Sequence, residues 1–227
     1  MNRDLTIIYY SSNREVPEFE TRIRNNILKV CGDLPIISVT QKPIDFGKNI
    51  VVGDVGASGF NMFRQVQIAC KEATTKFVVS AEADCLYPPD YFTFIPEKDN
   101  VCYRNKNLYV MGQYRTYFYK KEEGATHAQV VGREFCLRTL DKLFEGGPNW
   151  SIKERNFPKE RTHQKKEDVF GSDEIEFYET KNPIVQIKTS HSMRHYTHSD
   201  RIPRDELPYW GKGVDFRKKY YDIGFRH

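Results

Sequence analysis

Four short runs of β-branched and aromatic residues constrain this chain more than any other feature: LTIIYY (5–10), LPIISVT (34–40), NIVVGD (49–54) and KFVVSA (76–81). Each run reads as a strand, and LTIIYY as a buried one. The first and last gaps between them carry apolar residues at helical spacing. Pro17 opens the first, Phe19, Ile23, Ile27 and Val30 fall on one face, and Cys31-Gly32-Asp33 ends it. Between Phe60 and Ala73 the set Phe63, Val66, Cys70 and Ala73 marks a second helical face. Strands that alternate with helices need crossover connections, and those build a mainly parallel sheet covered by helices. The predicted fold class is α/β, with a Rossmann-like, mainly parallel central sheet flanked by helices.

The second half changes character. NVCYRNKNLYVMGQYRTYFYKK (100–121) is rich in Tyr and alternates as antiparallel strands do. A helical pattern returns at REFCLRTLDKLFEG (133–146), then a polar loop, DEIEFYET (173–180) and the strand PIVQIKT (183–189). No linker composition interrupts the chain, so residues 1–227 read as one domain, with residues 1–95 as one half and 96–227 as a smaller antiparallel portion and tail.

Bulk properties exclude some classes. Apolar residues make up 39% of the chain, ordinary for a globular protein, and no run approaches the length of about 20 residues needed to span a bilayer. The first apolar stretch is too short for a secretory leader. Five scattered cysteines without metal-type spacing read as reduced thiols, which implies a cytoplasmic setting. A net charge of +4 favours an anionic partner weakly. The clusters SIKERNFPKERTHQKK (151–166) and FRKKYY (216–221) read first as a solvated loop and tail.

The fourth strand runs into EAD. In extended chain, residues two apart share a face, so Glu82 and Asp84 can reach one ligand. Open α/β sheets collect ligands at the carboxyl ends of their strands. Paired carboxylates there suit Mg²⁺ or Mn²⁺, which keeps sites for phosphate oxygens, and a diphosphate is the natural occupant. Acid-x-acid also ends ordinary strands, so the surrounding motifs carry the weight.

FVVSAEADCLYPPDYF (77–92) resembles the buried strand, D-x-D-type motif and following proline of GT-A-fold glycosyltransferases, in particular the small bacterial and viral members of the family-two type, with Glu82 in place of the first Asp. IIYYSSNR is similar to that family's first strand and turn at Asn13 and Arg14, and GFNMFRQ to its helix start at Gly59 and Arg64, with Gln65 replacing Asn. The resemblance implies a GT-A fold, residues 1–95 binding a nucleoside-diphosphate sugar and residues 96–227 facing the acceptor. It implies a UDP-sugar donor touched by Ser11, Asn13, Arg14, Gln41, Arg64, Glu82 and Arg194, and Mn²⁺ or Mg²⁺ held by Asp84 with His191 or His195. Where the family has an Asp after its second strand, this chain offers Thr40 and Gln41, which leaves the nucleotide open.

Transfer with inversion needs a carboxylate to take the acceptor hydroxyl's proton. The resemblance places it in EDVFGSDEIEF (167–177), with Asp173 first and Asp168 and Glu174 as alternatives. Ser172-Asp173-Glu174 reads equally as a helix cap. His191, His195 and His198 cluster after the last strand, as metal ligands or exposed loop residues. Tyr209 and Trp210 stack on a sugar or pack the tail. The resemblance implies an acceptor that is a carbohydrate, or a modified base in DNA. Two other classes compete. A sugar-phosphate nucleotidyltransferase wants a Gly-rich loop after its first strand, and YYSSNREVPEF has no glycine. A non-catalytic nucleic-acid-binding protein would use the basic clusters and their aromatic neighbours.

Overall fold

The computed structural model describes residues 4–153, 169–193 and 198–222. Its first half follows the sequence pattern: β1 (Leu5–Ser11), α1 (Pro17–Val30), β2 (Ile36–Thr40), β3 (Lys48–Val51), α2 (Gly59–Glu72) and β4 (Phe77–Glu82). Pro17 sits in the first turn of α1, where a missing N–H costs nothing, and Ser58 caps α2 by accepting from the Asn61 N–H at 3.0 Å. Then follow β5 (Cys85–Leu86), β6 (Cys102–Asn105), β7 (Leu108–Gly112), β8 (Tyr119–Lys120), β9 (Gln129–Gly132), α3 (Arg133–Phe144), β10 (Ile175–Tyr178), β11 (Ile184–Lys188), β12 (Glu206–Leu207), β13 (Gly211–Lys212) and α4 (Gly213–Tyr220).

Seven strands form the central sheet in the order β10-β6-β9-β4-β1-β2-β3. The pairs β1–β2, β2–β3, β1–β4 and β10–β6 are parallel, and β9 alone runs against its neighbours. The α/β class and the mainly parallel central sheet are therefore as expected. Alternate residues of β1 feed opposite faces. Leu5, Ile7 and Tyr9 join α1 residues Phe19, Ile23 and Ile27, while Ile8 and Tyr10 join Phe60, Phe63 and Val66 of α2 and Phe135 and Leu140 of α3. The α1-side core continues into a second, four-stranded sheet, β5-β11-β7-β8, through Leu108, Met111, Ile184 and Ile187.

Residues 100–121 have the expected antiparallel neighbours, β9 for β6 and β8 for β7, but do not form one continuous antiparallel run. β6 belongs to the central sheet and β7 to the second one, each pairing in parallel with a later strand, β10 and β11. Asn105 makes the break: its side chain accepts from the Asn107 N–H at 2.7 Å and donates to Thr180 Oγ1 at 2.7 Å, turning the chain from one sheet to the other. Alternation reports which side of a strand is wet but not which strand lies beside it. The smaller portion is accordingly mixed: β5–β11 and β7–β8 are antiparallel and β11–β7 parallel. Among the described residues no helix is long and apolar enough to cross a membrane.

Candidate active-site cleft

β1 lies between β2 and β4, so the chain leaves its carboxyl end one way and returns on the other side. That reversal opens a crevice at the strand ends. A cleft of about 530 Å³ occupies it. Its wall on the first half comes from Tyr10 and Ser11 at the end of β1, Arg14 and Glu15 beyond it, Gly56 to Ser58 before α2, Asn61 and Gln65 in α2, Glu82 at the end of β4, and Ala83 and Asp84 beyond it. Its opposite wall comes from Arg104, Lys121, His127, Gln186, Lys188, His191 and His198.

Both acids of EAD face this space. Tyr10 pairs with Glu82 across β1–β4, and its hydroxyl donates to Glu82 Oε1 at 2.9 Å. Asp84 is held at both oxygens: Gln186 Nε2 donates to Oδ2 at 2.9 Å and the Cys85 thiol to Oδ1 at 3.2 Å. Burial, and then repulsion from Asp84, push the Glu82 carboxyl up to about 7. Glu15 is pushed up to about 7 chiefly by burial, against the stabilising hydrogen bond from Thr189, whose hydroxyl lies 2.7 and 2.8 Å from its two oxygens.

The cationic side mirrors this. Lys121 is lowered to about 8, first by burial and then by Lys188. His127 is driven well below its usual range by burial, then by both lysines, so it stands as neutral imidazole. Its Nε2 is buried without a hydrogen-bond partner. One ligand atom each from Glu82, Cys85 and His127 lies within 4.8 Å of the others. Burial, then Asp84, raises the Cys85 thiol well above its ordinary range, so the donors of this group best suited to a hard cation are the Glu82 carboxylate and the imidazole; Asp84 lines the same cleft but is not one of the three. That donor set fits Mn²⁺ or Mg²⁺, the imidazole favouring Mn²⁺.

Of the residues singled out in the sequence, Ser11, Arg14, Gln65, Glu82, Asp84, His191 and His198 line the cleft. Asn13 and Gln41 lie behind it as scaffolding. Asn13, at φ 52°, accepts from the Lys42 N–H at 2.8 Å, and Gln41 donates to the Gly56 carbonyl at 2.8 Å. Arg64 points away: its guanidinium stacks 3.7 Å from the Phe144 ring centroid and donates to the Pro148 and Asn149 carbonyls. One residue along the helix is a turn of about 100°, and Gln65 takes the inward place, donating to the Ser11 and Val39 carbonyls at 2.9 Å each.

Asp173 is exposed in a short 3-10 turn (Ser172–Glu174), and Glu174 caps that turn by accepting from the Gly171 N–H at 2.6 Å. Neither lines the cleft. Asp168, Arg194 and His195 lie outside the described residues, as does most of the basic stretch 151–166. Tyr209 and Trp210 also stay clear of the cleft. Trp210 donates to the Pro183 carbonyl at 2.6 Å and packs edge-on against Phe216, which is the tail-packing arrangement.

Sequence reading missed Glu15, Lys121, His127, Gln186 and Lys188. Lys121 and Lys188 each end a strand-like run, the same signal that drew attention to Glu82 and Asp84, while His127 carries no local signal.

No family model and no curated protein matches the sequence. Among solved structures, the chain is similar to S. aureus TarS, at 13% identity over 81% of this chain and 36% of that one, with a TM-score of 0.46. A glycosyltransferase involved in glycosylation of the major capsid of PBCV-1 gives 12% identity over 80% and 92%, with a TM-score of 0.44. A putative glucose-1-phosphate thymidylyltransferase from Bacillus anthracis, in complex with a sucrose, gives 12% over 80% and 89%, with a TM-score of 0.47. The chain thus spans about a third of TarS and about nine-tenths of the other two. At such identities and scores the likeness carries no functional argument.

Proposed function

We propose that the protein is a metal-dependent glycosyltransferase that moves a sugar from a nucleoside-diphosphate donor, a UDP-sugar in the first instance, to an acceptor hydroxyl. One observation carries this reading: Glu82 and Asp84 face one cleft at the point where the parallel sheet reverses its strand order, with cationic residues on the opposite wall. Bound at Asp84 and Glu82, with His127 or His191 beside them, a divalent cation would supply Lewis-acid stabilisation of the leaving diphosphate.

The chain's own groups do the rest. Gln186 and Cys85 fix the Asp84 carboxylate, so its orientation is set before ligand arrives. Tyr10 holds Glu82 at the strand end. Gln65 ties the end of β1 to the end of β2 and keeps the donor-side wall in place. Arg14, exposed at the rim, suits bidentate contact with phosphate. For the acceptor proton we retain Asp168, since Asp173 and Glu174 do not line the cleft. The acceptor we favour is a carbohydrate hydroxyl, with a modified base in DNA as the other member of that class.

The test is thermal unfolding of the protein against a panel of nucleoside diphosphates and sugar nucleotides, with and without Mn²⁺. A ligand at a hundred times its Kd adds about 2.7 kcal/mol, which for a chain of this size raises Tm by about 5–10 °C. The expected result is a shift with one nucleotide series that needs Mn²⁺ and is absent in Asp84→Asn. No shift with any nucleotide, or an undiminished Mn²⁺-dependent shift in Asp84→Asn, would refute the proposal.

A further inference from the structure

We infer that Lys121 and Lys188 form a phosphate-binding subsite on the second-sheet wall of the cleft, which holds a phosphoryl or pyrophosphoryl anion without help from a metal. The inference deepens the glycosyl-transfer reading and rests on it only for which molecule brings the phosphate.

Both side chains leave firm backbone. Lys188 closes β11, in register with Gly112 of β7, and its carbonyl accepts from the Gln113 N–H at 2.8 Å. Lys121 follows β8; its N–H donates to the Leu108 carbonyl at 2.9 Å, and it bridges to Ser199. Both line the cleft, both are half-buried, and the charge of Lys188 makes that of Lys121 harder to hold. The groups facing Lys121 are Lys188, Cys85, Glu82 and Asp84, with His127 beside them. Among the described residues neither ammonium comes within ion-pair distance of a carboxylate.

A half-buried ammonium group with no acid in contact is costly to hold in a folded chain, and at Lys121 the charge of Lys188 in the same cleft adds to that cost. An anion between the two lysines removes both the repulsion and the missing hydrogen bonds. Phosphate fits because it offers several acceptor oxygens to point-charge donors that have no planar geometry to satisfy. The acids across the cleft do not neutralise the pair by contact; they bound the subsite on its far side, where a cation would sit. The cleft is thereby divided into an acidic wall for metal and a basic wall for phosphate.

The test is isothermal titration of the whole chain in EDTA with inorganic pyrophosphate, UDP and glycerol 1-phosphate. Wild type is expected to bind pyrophosphate. Lys121→Met and Lys188→Met should each weaken it about tenfold or more, the loss of one charge-assisted hydrogen bond, and Lys188→Arg should retain most of the affinity. Lys188→Met keeps the test alive if Lys121→Met does not fold. Absence of pyrophosphate binding by wild type, or unchanged affinity in both Met variants, overturns the subsite. Tighter binding of UDP than of glycerol 1-phosphate supports the subsite and assigns it to the donor; the reverse order supports it and assigns it to a phosphorylated acceptor. If pyrophosphate binds through the lysines while no sugar nucleotide shifts Tm with Mn²⁺, the subsite stands and the glycosyl-transfer reading falls.

Discussion

Replacing Lys121 with Met should make the protein more stable at neutral pH while weakening its grip on phosphate. The lysine's ordinary value of 10.5 is lowered to about 8. A displacement of that size corresponds to about 3 kcal/mol of penalty for the charged form, at about 1.36 kcal/mol per unit, with the attraction of Glu82 and Asp84 already counted. Methionine keeps the unbranched stem and removes the charge, so about 3 kcal/mol is the ceiling of the gain. For a chain of this length that is a Tm increase of about 6–12 °C at most. The direction with pH follows from proton counting. Between the folded value near 8 and the unfolded value of 10.5, the unfolded chain holds more protons at this position, so wild-type stability rises with pH. Below about 8 the penalty is present in full, and above the unfolded value it vanishes. Thermal unfolding of both proteins in EDTA from neutral to alkaline pH should therefore show a gap that is widest at neutral pH and closes through that window. A gap of zero at neutral pH, or one that does not close as the lysine loses its proton, would refute the reasoning.

Two further substitutions probe the frame around the cleft. Gln65→Leu leaves the buried Ser11 and Val39 carbonyls without their side-chain donor and should cost about 2–3 kcal/mol in urea unfolding; a loss below about 0.5 kcal/mol would mean that water replaces the amide. Asp173→Asn should leave stability within about 0.5 kcal/mol and turnover within about twofold, because this exposed side chain does not reach the cleft; a turnover collapse with intact donor binding would put the base back at Asp173.

Local pattern was sufficient for the first half. Continuous apolar runs and helical spacing placed β1, α1, β2, α2 and β4, because a parallel strand buried on both faces and a helix with one apolar stripe each leave a distinct period. The end of the fourth run drew attention to Glu82 and Asp84, although β4 stops at Glu82 and Asp84 meets the cleft from the turn that follows, not by strand alternation. Period did not distinguish Arg64 from Gln65 as the inward-facing residue, nor did it give the partners of β6 and β7. An alternating strand is compatible with any neighbour of matching polarity, and only the turn at Asn105 sends these two into different sheets.

The opposite wall of the cleft was beyond local reading altogether. Gln186 reaches Asp84 across a separation of 102 residues, and Lys121, His127 and Lys188 arrive from different elements. Each alone is an unremarked polar residue. What the sequence by itself determined is the sheet's first half and its pair of acids, because those depend on interactions within a turn or a strand. What the tertiary structure decided is the charge balance of the site, because burial and the approach of distant ammonium and carboxylate groups exist only once the two sheets have closed on each other.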